Sequence, residues 1–246
     1  MDIRKQLLDW WGKCHVGEQI RNRAVRRAMR ELARPGTRLL DAGCGRGENA
    51  RWAVRRWPAI RVDALDIDPK VVERLRGRLR ETDLTGAVRV EVGDVTALTT
   101  RAQYGIVYTV DVLEHVRDPG QALTQFAAVL EPGGWCIVHV PAIPQRRWFH
   151  RFASYAQEDH VREGFAPDTL TALLRASGFQ VMVLRRTFGP PGALAWELFQ
   201  ILQRIARPLV LVAYPVLWVL VVLDGRWRSS WGNGCIAVAR KRTHTI

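Results

Sequence analysis

From Thr37 to about Phe188 the chain alternates short apolar runs with longer segments whose apolar residues recur every three to four positions. This alternation commits it to βα units. Parallel neighbours need a crossover between them, and a crossover of helical period must bury its apolar stripe on the sheet. Strands are expected at 38–42, 60–66, 88–92, 105–110, 135–140 and 179–185, with a last one at 234–239. Asp68-Pro69 and Asp118-Pro119 each offer a capping carboxylate followed by proline at the first helical position, where its missing N–H costs nothing. Val71, Val72, Leu75 and Leu79 follow the first pair on one face. Ala122, Leu123, Phe126, Val129 and Leu130 follow the second, with Pro132-Gly133-Gly134 as the stop. A third helix is expected from about Pro167 to Gly178.

The flanks differ from this middle. Residues 4–34 read as one or two amphipathic helices with arginines at 21, 23, 26, 27, 30 and 34 on the outer face. Residues 193–207 are amphipathic, with Trp196, Leu198, Phe199, Ile201, Leu202 and Ile205 inward. Pro208 is expected to break that helix. The stretch 209–223 is fifteen residues without a charge, interrupted by Pro215. The chain thus divides into an N-terminal helical cap (1–35), a core (36–188), a hydrophobic helical insertion (189–233) and a final strand with a basic tail (234–246). A length of 246 residues suits one core with such an appendage. Cysteines at 14, 44, 136 and 235 form no CxxC pair, so neither a disulfide scaffold nor a cysteine zinc site is expected. No secretory signal is read at the N-terminus, and a cytoplasmic location follows as the expectation.

Chemistry concentrates in LLDAGCGRG, residues 39–47, where a strand turns into a helix. Alternating glycines there permit positive φ and let backbone amides approach a ligand at the positive end of the next helix. Asp66 falls nineteen residues after Gly47, at the end of the second strand, where an acid can bind the hydroxyls of a ribose. Asp41 precedes the glycines. Beside a pyrophosphate it would be repelled, so a ligand carrying an amino group fits better.

With ALDIDP, GDVTAL, VDVLEHVRDP, LEPGGW and EDHVREGFAPDTLTALLRASGF in order behind the glycine motif, the sequence resembles the class I S-adenosylmethionine-dependent methyltransferases, in their quinone-biosynthesis and small-molecule branch. The resemblance covers roughly residues 35–188 plus the last strand. It implies an α/β, Rossmann-like fold: a seven-stranded, mostly parallel sheet with helices on both faces, the last strand antiparallel. It also implies a cofactor, S-adenosyl-L-methionine, and its site. Asp41, Gly43, Gly45 and Gly47 would line the methionyl part, Asp66 and Ile67 the ribose and its surroundings, and Asp94 and Val95 the adenine edge. Val110 and Asp111 would lie beneath the sulfonium.

His160, His115 and His139 are the candidates for a base or an acceptor-orienting group. No metal is expected. Its only candidates are Asp111, Glu114 and His115, which would share one face if a helix began there; the related metal cluster has glutamate where this chain has Asp111.

The net charge of +13 gathers in the flanks, +5 at each end, which points to an anionic partner. Fifteen helical residues reach about 22 Å, short of the hydrocarbon core, so an interface-lying hairpin on an anionic membrane is expected rather than a span. Such a protein would be peripheral or monotopic and would methylate a hydrophobic or lipid-linked acceptor. Glu197, Arg204 and Arg207 would otherwise have to enter the bilayer. The alternatives are a soluble lid or a homodimer contact on an enzyme acting on a soluble small molecule or RNA, and a non-catalytic interaction protein. Against nucleic acid stand the missing RNA-binding module and NPPY-like motif.

Overall fold

The structure, a computed structural model, describes residues 15–100, 102–149, 161–227 and 229–243. Helix α1 (Val16–Leu32) precedes β1 (Arg38–Ala42), α2 (Glu48–Arg56), β2 (Arg61–Asp66), α3 (Pro69–Glu81), β3 (Val88–Val92) and β4 (Tyr104–Val110). Then come α4 (Pro119–Val129), β5 (Leu130–Pro141), α5 (Pro167–Ala176), β6 (Phe179–Thr187), α6 (Pro190–Ile205), α7 (Arg207–Arg226) and β7 (Gly234–Lys241). The seven strands form one sheet in the order β3-β2-β1-β4-β5-β7-β6. Only β7 runs opposite to the other six strands, antiparallel to β5 and β6 on either side of it.

Strand alternation fills both faces. Leu40, Val107 and Val138 point to the side covered by α4 and α5, where Leu123, Phe126 and Leu170 meet them. Leu39, Ile106 and Ile137 point to the other, against Met29, Val54 and Leu75 from α1, α2 and α3. Central strands buried on both faces read as unbroken apolar runs, which made β1 and β4 legible. The two Asp-Pro pairs act as expected: Asp68 accepts from the Lys70 N–H and Asp118 from the Gln121 N–H. β5 starts at Leu130 rather than 135, because Gly133, at φ +74°, lets the chain continue pairing through an irregular register instead of stopping at Pro132-Gly133-Gly134.

The flanks form a third layer. Val16 and Ile20 of α1 pack with Ala195 and Phe199 of α6 and with Val210, Leu217 and Val221 of α7. The α6–α7 hairpin closes on itself at Asp224, a buried carboxylate that accepts from the Phe188 N–H at 3.1 Å beside the start of α6. A Cβ on Gly192 would stand 2.5 Å from that carboxylate.

Several expectations about the flanks are corrected. α7 is a continuous helix of 20 residues, about 30 Å long, not a 15-residue piece. The break expected at Pro208 falls at Ala206, where α6 ends, and Pro208 itself sits in the first turn of α7, where no N–H is needed; Pro215 is carried within α7 instead of interrupting it. Its segment Pro208–Arg226 has a mean hydropathy of 2.0 and is 22% buried, long and apolar enough by composition to cross a membrane. Glu197 is fully buried and faces the protein. Ile205, expected inward, is 68% exposed. On α1, Arg23, Arg27 and Arg30 are exposed, as is Arg34 just after it, but Arg21 and Arg26 turn inward, since they share the helix face of Val25 and Met29.

Candidate functional site

The carboxyl ends of β1, β2, β4, β5 and β6 converge on one edge of the sheet, at the switch point where the strand order reverses between β1 and β4. After β1 the chain turns through Gly43, Gly45 and Gly47, at φ of +81°, +50° and +66°. Gly47 is the N-cap of α2 in left-handed geometry, and an added side chain there would strike Leu75 of the core. Gly45 has nothing within 4 Å of where a side chain would begin, so its backbone borders open space.

Asp66 ends β2 and braces this loop. Its Oδ2 accepts from the Gly45 N–H at 2.9 Å and its Oδ1 from the Asp68 N–H at 3.1 Å. Each oxygen keeps a second lone pair for a diol. Ile67 beside it is 70% exposed, an apolar surface at the rim. Asp94 accepts from the Thr96 N–H and hydroxyl, both at 2.8 Å, and Val95 is buried behind it. Asp41 is buried beneath the glycines. Burial pushes its carboxyl up to about 7, with the Asp66 charge adding to the rise and the Tyr108 hydroxyl opposing it. These residues fit an S-adenosylmethionine: a glycine loop open to solvent, an acid with spare acceptors and a second acid ready to meet an ammonium.

Past β4 the structure departs from the sequence reading. Asp111, Glu114 and His115 do not share a helix face, because Asp111 is left-handed at φ +51° and the chain runs on in turns. Glu114 is buried and His115 exposed. Among the described residues no three His, Cys, Asp or Glu side chains stand where they could hold one metal ion. Asp111 is instead the centre of a network. Its Oδ2 accepts from Arg21 Nη1 at 2.6 Å and its Oδ1 lies 2.6 Å from His139 Nδ1. His139 Nε2 lies 2.9 Å from the Thr187 hydroxyl at the end of β6. His139 is 1% exposed, with both ring nitrogens engaged in this network. Val110 ends β4 just before it, half-buried.

Burial alone would raise Asp111, but Arg21 and then His139 outweigh it and hold the carboxyl at about 2. Glu114 goes the other way. Burial, reinforced by Asp111, lifts it well above the carboxylate range, so it carries a proton at neutral pH. Its two oxygens have no hydrogen-bond partner among the described residues. His160, the first catalytic candidate, lies outside the described residues. Two residues on, Arg162 donates to the carbonyls of Leu113, Val116 and Arg117 and so shapes the turn around Glu114.

Sequence reasoning missed Arg21, Thr187 and Arg162. Arg21 had a usable signal, since it stands four and seven residues before the buried Val25 and Ala28. The rim is completed by the loop after β5. Asn233 pairs with both the N–H and the carbonyl of Arg146, and Glu197 of α6 accepts from the N–H groups of Trp148 and Phe149 at 3.0 and 2.7 Å.

Comparison with known proteins agrees with this geometry. The family described as Methyltransferase domain matches residues 16–184. A 37.1 kDa protein of a Streptomyces fradiae transposon is 32% identical over 158 residues, 61% of this chain and 45% of that protein. The 27-O-demethylrifamycin SV methyltransferase of Amycolatopsis mediterranei (strain S699) is 36% identical over 104 residues, 41% of this chain and 37% of the enzyme. These matched stretches thus span less than half of either relative. Phosphoethanolamine N-methyltransferase 2 of Haemonchus contortus, solved with S-adenosyl-L-methionine, superimposes with a TM-score of 0.66 at 16% identity, over 87% of this chain and 51% of its own. With the family match spanning most of the chain and the glycine loop, acids and strand order all in place, the chain belongs to the class I S-adenosylmethionine-dependent methyltransferases.

Proposed function

We propose that this protein transfers a methyl group from S-adenosylmethionine to a hydrophobic or lipid-linked acceptor at an anionic membrane surface. The observation that carries the reading is a stripe on the outer side of the hairpin. Leu209, Val212, Val216, Val219 and Leu223 are all exposed, Val212 to 81%, and are spaced three and four residues apart along one face of α7, with Ile205 and Trp227 exposed just beyond its two ends. Trp218 is exposed beside it. Arg226 stands at the stripe's C-terminal end, where Arg27 of α1 donates to the Gly225 carbonyl and Arg23 feels the Arg226 charge. An apolar stripe with tryptophans and a cationic border is the pattern of a helix lying in a lipid interface. The same hairpin leaves the sheet at the site's edge and holds the rim loop through Glu197, which would bring a lipid-like acceptor to the mouth.

Bound S-adenosylmethionine supplies a methyl on a sulfonium, and the acceptor's lone pair displaces the sulfur in line. The chain's part is positioning. Asp66 orients the ribose, the Asp41 carboxylate meets the ammonium, and the glycine amides border the methionyl group. Asp41 makes a testable demand. With its carboxyl near 7 before binding, pairing with an ammonium requires it to ionise. Binding at pH 6 is therefore expected to release most of one proton and at pH 8 almost none, read by calorimetry in buffers of different ionisation enthalpy. A proton count near zero at both values would remove Asp41 from this role.

The membrane reading is tested by flotation with phosphatidylcholine vesicles, with and without phosphatidylglycerol. The wild type is expected to float with the anionic vesicles, and Val212→Glu with Val216→Glu to reduce the bound fraction about tenfold or more, since two apolar side chains leave the interface. The heptad-like spacing of the stripe equally suits a second copy of the chain. A protein that stays at the bottom and runs as a dimer, split by the same two substitutions, would overturn the lipid reading in favour of that one.

A further inference from the structure

We propose that Arg21, contributed by the N-terminal helix, is a positioning residue that sets the net charge of the floor beneath the methyl donor. The inference rests on the donor placement along Asp41 to Gly47 given above.

The structure puts an acid where a cationic donor is expected, then cancels it. Asp111 follows β4 directly, and the next residue, Val112, lies so close to Gly43 that a Cβ on the glycine would collide with it. The Asp111 turn and the cofactor loop are therefore in contact. Both oxygens of Asp111 are spoken for, Oδ2 by Arg21 at 2.6 Å and Oδ1 by His139 at 2.6 Å. Arg21 is three-quarters buried, with its Nη1 on this carboxylate. Of the remaining neighbours, His139 also faces Asp111 but is a cation only when protonated, whereas the Arg21 guanidinium is charged at every pH of interest. Glu114 on the same turn is neutral, and the Arg162 guanidinium is committed to three carbonyls.

The balance matters because the donor and its product differ by one charge. S-adenosylmethionine has a cationic sulfonium, and S-adenosylhomocysteine a neutral thioether. An uncompensated carboxylate in the floor would hold the cationic ground state more tightly than a transition state in which that charge is dispersing, and so raise the barrier. A neutral Arg21–Asp111 pair keeps the floor from doing this. α1 is fixed for the task on several sides: Val16 and Ile20 are in the hairpin cluster, Glu18 meets Arg46 of the glycine loop, and Asn22 and Arg26 hold Asn49 of α2.

The test is calorimetric titration of the full chain at pH 8 with S-adenosylmethionine and, separately, S-adenosylhomocysteine; its readout is the ratio of the two Kd values. Arg21→Met is expected to shift the ratio about tenfold toward the sulfonium, and Asp111→Asn about tenfold away from it, as unit charges in a partly buried site do. The double variant is expected to return close to the wild-type ratio, and Arg21→Lys to keep it. A purely structural role would weaken both ligands together. It would leave the ratio unmoved in every variant, which overturns the proposal. Should Arg21→Met not fold, Arg21→Gln and Asp111→Asn carry the same opposite-signed expectation. A wild type that binds neither ligand would overturn the donor placement itself, whereas a wild type that binds both with an immovable ratio would overturn only the role of Arg21.

Discussion

Asp66→Ala is expected to lower S-adenosylmethionine affinity about a hundredfold or more, because hydrogen bonds to a charged group are each worth about 1.5–3 kcal/mol and two are lost. The carboxylate does two jobs at once. Its inward lone pairs fix the Gly45 and Asp68 amides, and its outward ones are left for a vicinal diol. Alanine removes the ligand contacts and also leaves the Gly45 N–H without its partner, so the loop loses its shape as well as its acceptor. Asp66→Asn separates the two effects, since the amide oxygen can still accept from one backbone N–H but offers a donor where the second acceptor stood. Its affinity is expected between wild type and alanine. Calorimetric titration checks both, and an alanine variant that binds within threefold of wild type would put the ribose elsewhere.

The second large effect is on stability. Gly164 stands at φ +153°, and a Cβ there would lie 2.5 Å from the Pro141 carbonyl oxygen. That carbonyl belongs to backbone at the end of β5 and already accepts from the Phe165 N–H at 2.9 Å, so it cannot step aside without giving up that bond. Phe165, buried at 3%, would be drawn out of the core with it. Gly164→Ala therefore combines a forbidden backbone angle with a backbone collision, at a cost of about 2–4 kcal/mol. In a chain of this size that lowers the melting temperature by roughly 5–15 °C. Thermal unfolding followed by circular dichroism measures it. A shift under 1 °C would show that the segment after residue 160 relaxes freely. Gly178→Ala, at a positive φ but with nothing within 4 Å, serves as the control and is expected to cost less.

What could be read in the sequence follows from how local each signal was. The glycine loop, Asp66 and the two Asp-Pro caps declare themselves within a few residues, and all fall where their spacing placed them. The errors came where a distant element decides. Arg21 was assigned to the outer face with its neighbours, yet β4 supplies an acid that draws it in. Ile205 was read as inward-facing, yet α6 ends there and leaves it exposed. Asp111, Glu114 and His115 have the spacing of a helical face, but the left-handed residue at 111 sends the three side chains different ways. Pro215 was read as an interruption because a proline inside a helix forfeits one hydrogen bond, a loss that the helix tolerates with α1 and α6 packed along it.

Thr187 and Gly234 pair directly across β6 and β7, so everything between them departs from the sheet and returns to it at a single point. Topologically the hairpin is a detour within one antiparallel turn. The sheet's register does not depend on its length, and even doubling such a loop adds only about 0.6 kcal/mol of closure cost. A chain built in this way can exchange the part that meets the outside world while every strand that positions the cofactor keeps its neighbours. Grafting a different hairpin between those two residues, with the facing side of α1 matched to it, would thus leave every strand that carries the glycine loop and its acids in register.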